Sequence, residues 1–263
     1  MEKKTDMLHL NTSYVSGGKY VCRETWTHSS RTIDTDLLIY IVSGELFIAE
    51  NDVRFHLKPK DVLFLKAGEH HFGYQECHPP LSYYWIHFTP IKGDVGFKML
   101  SLKNSSYIDV LCRQLFHCAN TPNYPKESMD YITRLILIEL AMQNRINEDN
   151  NLALIIKIKE WIRVNSDRNL KASDIAGRFG YNEDYLTRIF KAESAQGLKQ
   201  CIIEAKLQYI ESLLLSSNYS LNEISQMSGF DDYKCFLKFF KYHEKMTPSQ
   251  FRNLYYNVHF NIK

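Results

Sequence analysis

The sequence has little of what marks an exported or membrane-bound chain. Its longest strictly apolar stretches run to about five residues, as in Leu152–Ile156, where a bilayer-spanning helix needs roughly 20. The opening Met1-Glu-Lys-Lys-Thr-Asp6 has no apolar signal region behind it. The six cysteines (Cys22, Cys77, Cys112, Cys118, Cys201, Cys235) form no CxxC pair and no regular spacing, which argues against a disulfide framework and for a reducing compartment. A cytoplasmic protein with free thiols is expected. A charge of one sign is also missing, since the net is only +2.

The 263 residues, 44% apolar and 24% charged, are enough for two domains with a core each, and they exclude a disordered chain, a stapled peptide or a coiled coil. Cutting the chain at 150 makes the near-zero charge informative. Residues 1–150 hold 16 Lys/Arg against 18 Asp/Glu, a net of −2, and residues 151–263 hold 16 against 12, a net of +4. Six of seven prolines, seven of eleven glycines and eight of ten histidines also lie before residue 150. Two differently built domains are expected, 1–150 and 151–263, the second with its core at 154–253.

In the first half, short β-like segments run through 37–42, 45–49, 53–57, 61–65 and 81–88, separated by turn material such as Ser43-Gly44, Lys58-Pro59-Lys60 and Ala67-Gly68. Several alternate apolar and polar residues, so one face is expected to be buried and the other to meet water or a cavity, as in a sandwich or small barrel. After Ser106 the period changes. Residues 107–119 and 126–147 read as two helices, the second with Tyr131, Leu135, Ile138 and Met142 at helical spacing.

Four segments in this half, Leu38-Ile-Tyr-Ile-Val-Ser-Gly44, Leu57-Lys-Pro-Lys-Asp61, Ala67-Gly-Glu-His-His71 and Tyr84-Trp-Ile-His-Phe88, resemble the cupin-type N-terminal domain of AraC-family transcription regulators over roughly residues 26–90. Lys60 and Ala67 stand where that family commonly has Gly and Pro. Metal-dependent cupins bring about three His and a carboxylate together, usually announced by an HxH pair and a Glu. Here there is an isolated His28 and the adjacent pair His70-His71, of which only one can face inward on a strand. No metal or cofactor is therefore assigned. His28, Tyr40, His71, Trp85 and His87 are instead read as an effector pocket, where aromatic walls supply contact and a few polar groups fix orientation. The other reading is that they are core aromatics and exposed histidines without a ligand.

The second half carries a repeat. A helix with Leu154, Ile155, Ile158, Trp161 and Ile162 on one face leads into 173–179, a turn at Gly180-Tyr-Asn182, and a helix over 183–192. The plan returns as 222–228, Gly229-Phe-Asp231 and 232–242, with Ile175-Ala176 matching Ile224-Ser225, Gly180 matching Gly229, and Phe190-Lys191 matching Phe240-Lys241. Each copy has the form of a helix-turn-helix. A helix over 198–215 links them, and Ser220-x-x-Glu223 is a capping box for the second copy that Lys171 does not offer the first. Helical projection sends Tyr185, Leu186, Ile189 and Phe190 inward and Asp184, Thr187, Arg188 and Lys191 outward. In the second copy Cys235, Phe236, Phe239 and Phe240 go inward and Lys234, Leu237, Lys238 and Lys241 outward, with Tyr233 near the start. Cationic faces on paired second helices suit major-groove entry.

Ile224-Ser225, Gly229-Phe230, Phe236, Phe240-Lys241 and Thr247-Pro-Ser-Gln-Phe-Arg252 resemble the DNA-binding domain of the AraC/XylS family, with Ala195 and Lys245 in place of the usual Gly and Lys206 and Ile210 in place of the linker helix's usual Arg and Ala. The expected fold is thus multidomain α+β: a cupin-like β-barrel with two trailing helices, then an all-α domain of two helix-turn-helix units joined by a linker helix. The resemblance implies two recognition helices in successive major grooves, roughly ten base pairs apart. Arg188 is the candidate for guanine, Leu237 for a thymine methyl, Asp184 for cytosine N4, and Lys191 and Lys241 for phosphate. Expected partners are double-stranded DNA, a small effector with sugars as one candidate class, a second copy of the chain and RNA polymerase; no membrane is among them. The helix over 126–147 is either an interface to that second copy or packed on its own barrel. A metal-dependent cupin enzyme carrying a DNA-binding module and an effector-independent DNA-binding dimer remain alternatives.

Overall fold

The computed structural model describes residues 11–93, 95–194 and 196–259, the last four by backbone alone. Ala195 and the opening Met1–Asp6 segment lie outside the described residues. The chain forms two compact units, Met1–Glu148 and Asp149–Lys263. No helix among the described residues is long and apolar enough to cross a membrane, and all six cysteines are free thiols.

The first unit contains β1 (Tyr14–Val21), β2 (Arg31–Thr32), β3 (Asp36–Ser43), β4 (Leu46–Glu50), β5 (Val53–Leu57), β6 (Asp61–Leu65), β7 (His70–Gly73), β8 (Ser82–Phe88) and β9 (Met99–Ser101), then α1 (Ser106–Asn120) and α2 (Lys126–Glu148). The strands form an antiparallel five-stranded sheet, β1-β8-β3-β6-β9, and an antiparallel four-stranded sheet, β2-β7-β4-β5. One core is drawn from both sheets, with Leu37, Ile39, Ile41, Leu63 and Leu65 from the first and Leu46, Ile48 and Leu57 from the second. A second core lies on the other face of the five-stranded sheet, where Leu38, Tyr40, Phe64, Ile86 and Phe88 meet Ile108, Cys112 and Leu115 of α1 and Ile136, Leu137 and Leu140 of α2.

This double cover explains a departure from the expected alternation. Every residue of β6, and β3 from Asp36 to Ile41, is buried, because helices cap the face that a two-sheet sandwich would leave to water. The stripe read on α2 is also not the one that packs. Thr133, Ile136, Leu137, Leu140 and Ala141 are buried, whereas Tyr131 is 66% and Leu135 49% exposed. Strand β1 was not legible because Gly17-Gly18 reads as a breaker. Its glycines are needed for close approach: a Cβ on Gly17 would lie 2.8 Å from the Trp85 carbonyl oxygen and 2.9 Å from the Phe116 ring.

The second unit comprises α3 (Asn150–Val164), α4 (Ala172–Phe179), α5 (Glu183–Glu193), α6 (Leu198–Ser216), α7 (Leu221–Met227), α8 (Tyr233–Glu244) and α9 (Pro248–His259). It has two cores. Ile155, Ile158 and Ile162 of α3 pack with Ile175 and Ala176 of α4 and Leu186, Ile189 and Phe190 of α5. Ile224, Phe236, Phe240 and Phe251 form the other. Helix α6 serves both, with Leu198 and Ile202 in the first and Leu207, Ile210 and Leu214 in the second.

The turns of the two copies match. Gly180 (φ 72°) and Gly229 (φ 70°) take the left-handed conformation, and Ala176 and Ser225 are the buried small residues beneath them. Ser220 and Glu223 form the expected capping box. At α4 half of it survives, because the Asp174 carboxylate accepts from the Lys171 backbone N–H at 3.0 Å while lysine has no acceptor to return.

Candidate functional site

The candidate nucleic-acid interface is built on α5 and α8. Asn182 starts α5 by accepting from the Asp184 N–H at 2.7 Å, and Asp232 starts α8 by accepting from the Lys234 N–H at 2.8 Å. Burial of Leu186, Ile189 and Phe190 then fixes the rotation of α5, leaving Asp184, Thr187, Arg188 and Lys191 exposed along one face. Tyr185 flanks that face. Its hydroxyl donates to Asn151 Oδ1 at 3.0 Å, its ring stacks on Tyr181 at 5.3 Å, and the Arg188 guanidinium lies 5.5 Å from its centroid. A cation held over an aromatic face is attracted by the ring quadrupole, so Arg188 is supported from below while its charge stays outward.

On α8 the rotation is set by Phe236 and Phe240, both fully buried. At about 100° per residue, Lys234, Lys238 and Lys241 fall at least about 120° from the centre of that face, and all three are exposed. The same geometry corrects three expectations. Cys235 also lies about 120° away, and it is exposed, with its Sγ donating to Asp232 Oδ2 at 3.4 Å. Leu237, about 80° away, is half-buried against the core. Tyr233 is about 40° away, stacks on Phe236 at 6.0 Å and forms a wall of the core, not part of the outer face.

The first unit holds a partly open cavity of about 370 Å³ on the inner side of the five-stranded sheet. Its walls come from alternate residues of three strands: Ser16 and Tyr20 of β1, Leu37 and Ile39 of β3, and Tyr83, Trp85 and His87 of β8. Trp26 and His28, from the segment leading into β2, and Arg31 of β2 itself close it. Aromatic contacts run round the wall, Tyr20 to Trp26 at 4.7 Å, Tyr20 to Tyr83 at 5.1 Å and Trp26 to His28 at 5.4 Å. Of the five residues read as an effector pocket, His28, Trp85 and His87 line this cavity. His71 lies behind His28 with ring centroids 5.4 Å apart.

Tyr40 does not belong there. Residues 39 and 40 point to opposite faces of β3, so Ile39 lines the cavity while Tyr40 turns to the helices, donates its hydroxyl proton to Asp109 Oδ1 of α1 at 2.8 Å and stacks on Tyr84. Among the lining residues not read from sequence are the aromatic and cationic Tyr20, Trp26, Arg31 and Tyr83. For Tyr83 the signal was present, since 83, 85 and 87 share one strand face. Arg31 lies in a two-residue strand with no pattern of its own.

Burial, then the Arg31 charge, push the His28 imidazole down to about 4, and the same causes lower His71 and His87. Arg31 Nη2 approaches His28 Nε2 at 3.4 Å, and the His87 Nδ1 is paired with the Thr35 hydroxyl at 2.8 Å. His71 Nε2 is buried with no hydrogen-bond partner among the described residues. Near neutral pH the site therefore offers a guanidinium at its edge, neutral imidazoles that can donate or accept, and aromatic faces. Among the described residues no three His, Cys, Asp or Glu side chains converge as a metal site would require.

Comparison with known proteins gives two family matches. Residues 16–136 match a model described as an AraC-like ligand binding domain, and residues 175–254 match one described as a helix-turn-helix domain. The Msm operon regulatory protein of Streptococcus mutans is 24% identical over 262 residues, covering 94% of each chain. The raffinose operon transcriptional regulatory protein of Pediococcus pentosaceus is 23% identical over 257 residues, covering 89% of this chain and 91% of its own. The xylose operon regulatory protein of Escherichia coli is 30% identical over 100 residues, covering 38% of this chain and 26% of its own.

Proposed function

The chain belongs to the AraC/XylS family of transcription regulators, and from that premise we propose that α5 and α8 read two neighbouring subsites of one duplex while the cavity of the first unit takes a sugar. The observation that carries the DNA reading is the duplicated helix pair: each second helix starts on an Asn or Asp cap, buries one apolar stripe, and leaves cations on the opposite face. In this reading Arg188 forks onto guanine O6 and N7. Lys191, Lys234, Lys238 and Lys241 bind phosphate, which makes affinity fall steeply with salt without selecting sequence. Asp184 accepts from cytosine N4, and Thr187 completes the face. Leu237 and Tyr233, turned partly into the core, contribute less to contact than the lysines beside them.

Three features support a sugar effector. A volume of about 370 Å³ lies in the range of about 300–1,000 Å³ for small-molecule sites. Trp26, Tyr20 and Trp85 offer flat apolar faces for the C–H side of a sugar ring, and Arg31, His28 and His87 offer hydrogen bonds for its hydroxyls. Two of the similar proteins bear the names of the xylose and raffinose operons. Isothermal titration of the full chain against a panel of pentoses, hexoses and oligosaccharides tests this. One panel member is expected to bind, and Trp85→Ala is expected to weaken it at least about tenfold by removing an aromatic wall. Heat from none of the panel contradicts the assignment.

Effector binding regulates only if it favours one of two conformations, since equal affinity for both shifts nothing. The exposed Tyr131 and Leu135 on α2 favour pairing of two copies through that helix, which would place two DNA-binding units on adjacent sites. Action on promoters places the protein in the cytoplasm with RNA polymerase as a further partner, and the reading assigns it no catalysed reaction.

A further inference from the structure

Lys206 has no part in DNA contact as proposed, yet among the described residues it is the most deeply placed cation of the second unit. It lies on α6 and is only 6% exposed. Its ammonium donates to the Arg168 carbonyl oxygen at 2.6 Å and to the Ser228 carbonyl oxygen at 2.6 Å, and it lies 5.8 Å from the Phe230 ring centroid. The two carbonyls belong to different halves of the unit. Arg168 is in the segment between α3 and α4, and Ser228 is in the turn between α7 and α8. No carboxylate pairs with Lys206 among the described residues.

The backbones also meet here. A Cβ on Gly229 would lie 2.8 Å from the Asp167 carbonyl oxygen and 3.1 Å from the Asn169 nitrogen. The two cores share no residue, so α6 and this seam are what relate one helix-turn-helix to the other. A buried ammonium is costly unless its protons are used, and a short neutral side chain at 206 would leave the buried Ser228 carbonyl unpaired and break the tie to the Arg168 carbonyl, which would keep only the Leu170 N–H at 3.0 Å. Buried as it is, Lys206 is out of reach of DNA.

We propose that Lys206 is a positioning residue: by tying the turn of the second helix-turn-helix to the loop of the first, it fixes the separation of the two recognition helices and hence the spacing of subsites that the chain accepts. The inference rests on the two-subsite reading above. Inserting one base pair between subsites moves one relative to the other by about 3.4 Å and rotates it by about 35°, so a rigid pair of helices tolerates it poorly and a hinged pair accommodates it. Linked binding events lose effective concentration when their linkage loosens.

The test uses the full chain and a duplex selected by it from a random library, with variants carrying one or two inserted base pairs and a duplex holding one subsite only. Wild type is expected to lose about tenfold in affinity per insertion, and Lys206→Met about threefold or less, with single-subsite binding unchanged. Lys206→Gln keeps an amide donor one bond too short to bridge both carbonyls. It is expected to fall between the two, and it answers the question if Lys206→Met does not fold. A folded variant that keeps the wild-type spacing penalty overturns the proposal, as does one that loses affinity equally for one subsite and for two, which is the mark of a purely structural lysine. Wild type that is indifferent to spacing overturns the two-subsite reading itself.

Discussion

Burial and the Arg31 charge hold the His28 imidazole at about 4 in the folded chain against 6.5 ordinarily. Between those values the unfolded chain binds a proton that the folded chain refuses, so this residue's contribution to stability is complete above pH 6.5 and is lost as pH falls through about 4. The expected size is up to about 3 kcal/mol. Comparing thermal unfolding of wild type and His28→Asn at pH 7 and pH 4.5 isolates it: the gap between them should shrink or reverse on acidification, and a constant gap contradicts the assignment. His71 and Tyr40, in the same unit, show how far single positions can be read from sequence. That one of His70 and His71 faces inward followed from strand alternation, and His71 is the buried one. Which face Tyr40 takes did not follow, because β3 is apolar on both sides from Leu37 to Val42, and the polar residues at its two ends do not distinguish the faces.

At the scale of elements, the ends of the recognition helices are built differently from their middles. Lys245 closes α8 in the left-handed region (φ 61°), donating its backbone N–H to the Lys241 carbonyl, at a position where the family usually has Gly. A side chain with a Cβ is strained there, so Lys245→Gly is expected to stabilise the second unit by about 0.5–1 kcal/mol, read as a higher denaturation midpoint. No change, or a loss, would mean that the Lys245 ammonium bound to the Tyr242 carbonyl at 2.8 Å offsets the strain. Apolar spacing and the internal repeat made α1 to α8 legible. Elements β1, β2, β7 and β9 were not, for physical reasons: two glycines chosen for close packing, and strands of two to four residues too short to show a period. The inward or outward turn of Leu237 and Cys235 was lost in the same way, because a residue about 80° from the buried centre and one about 120° away look alike in a hydrophobic pattern.

For the whole molecule, the division of labour follows from what each unit exposes. The first unit carries its aromatic cavity on the inner side of the five-stranded sheet and shows Tyr131 and Leu135 on α2, and the second shows lysines and arginine on two helices. If α2 pairs two copies, Leu135→Glu places like charges in the interface, and sedimentation should move from dimer toward monomer with the fold intact. A wild-type chain that sediments as a monomer at all accessible concentrations removes this element of the account.

Whether α5 and α8 read one duplex together is decided by a binding-site selection with the full chain. Wild type should enrich a motif in two parts roughly ten base pairs apart, and Arg188→Ala should lose preference in one part only, at a cost of roughly 1–3 kcal/mol. Enrichment of no motif, or full discrimination in both parts by Arg188→Ala, would contradict a joint reading of one duplex.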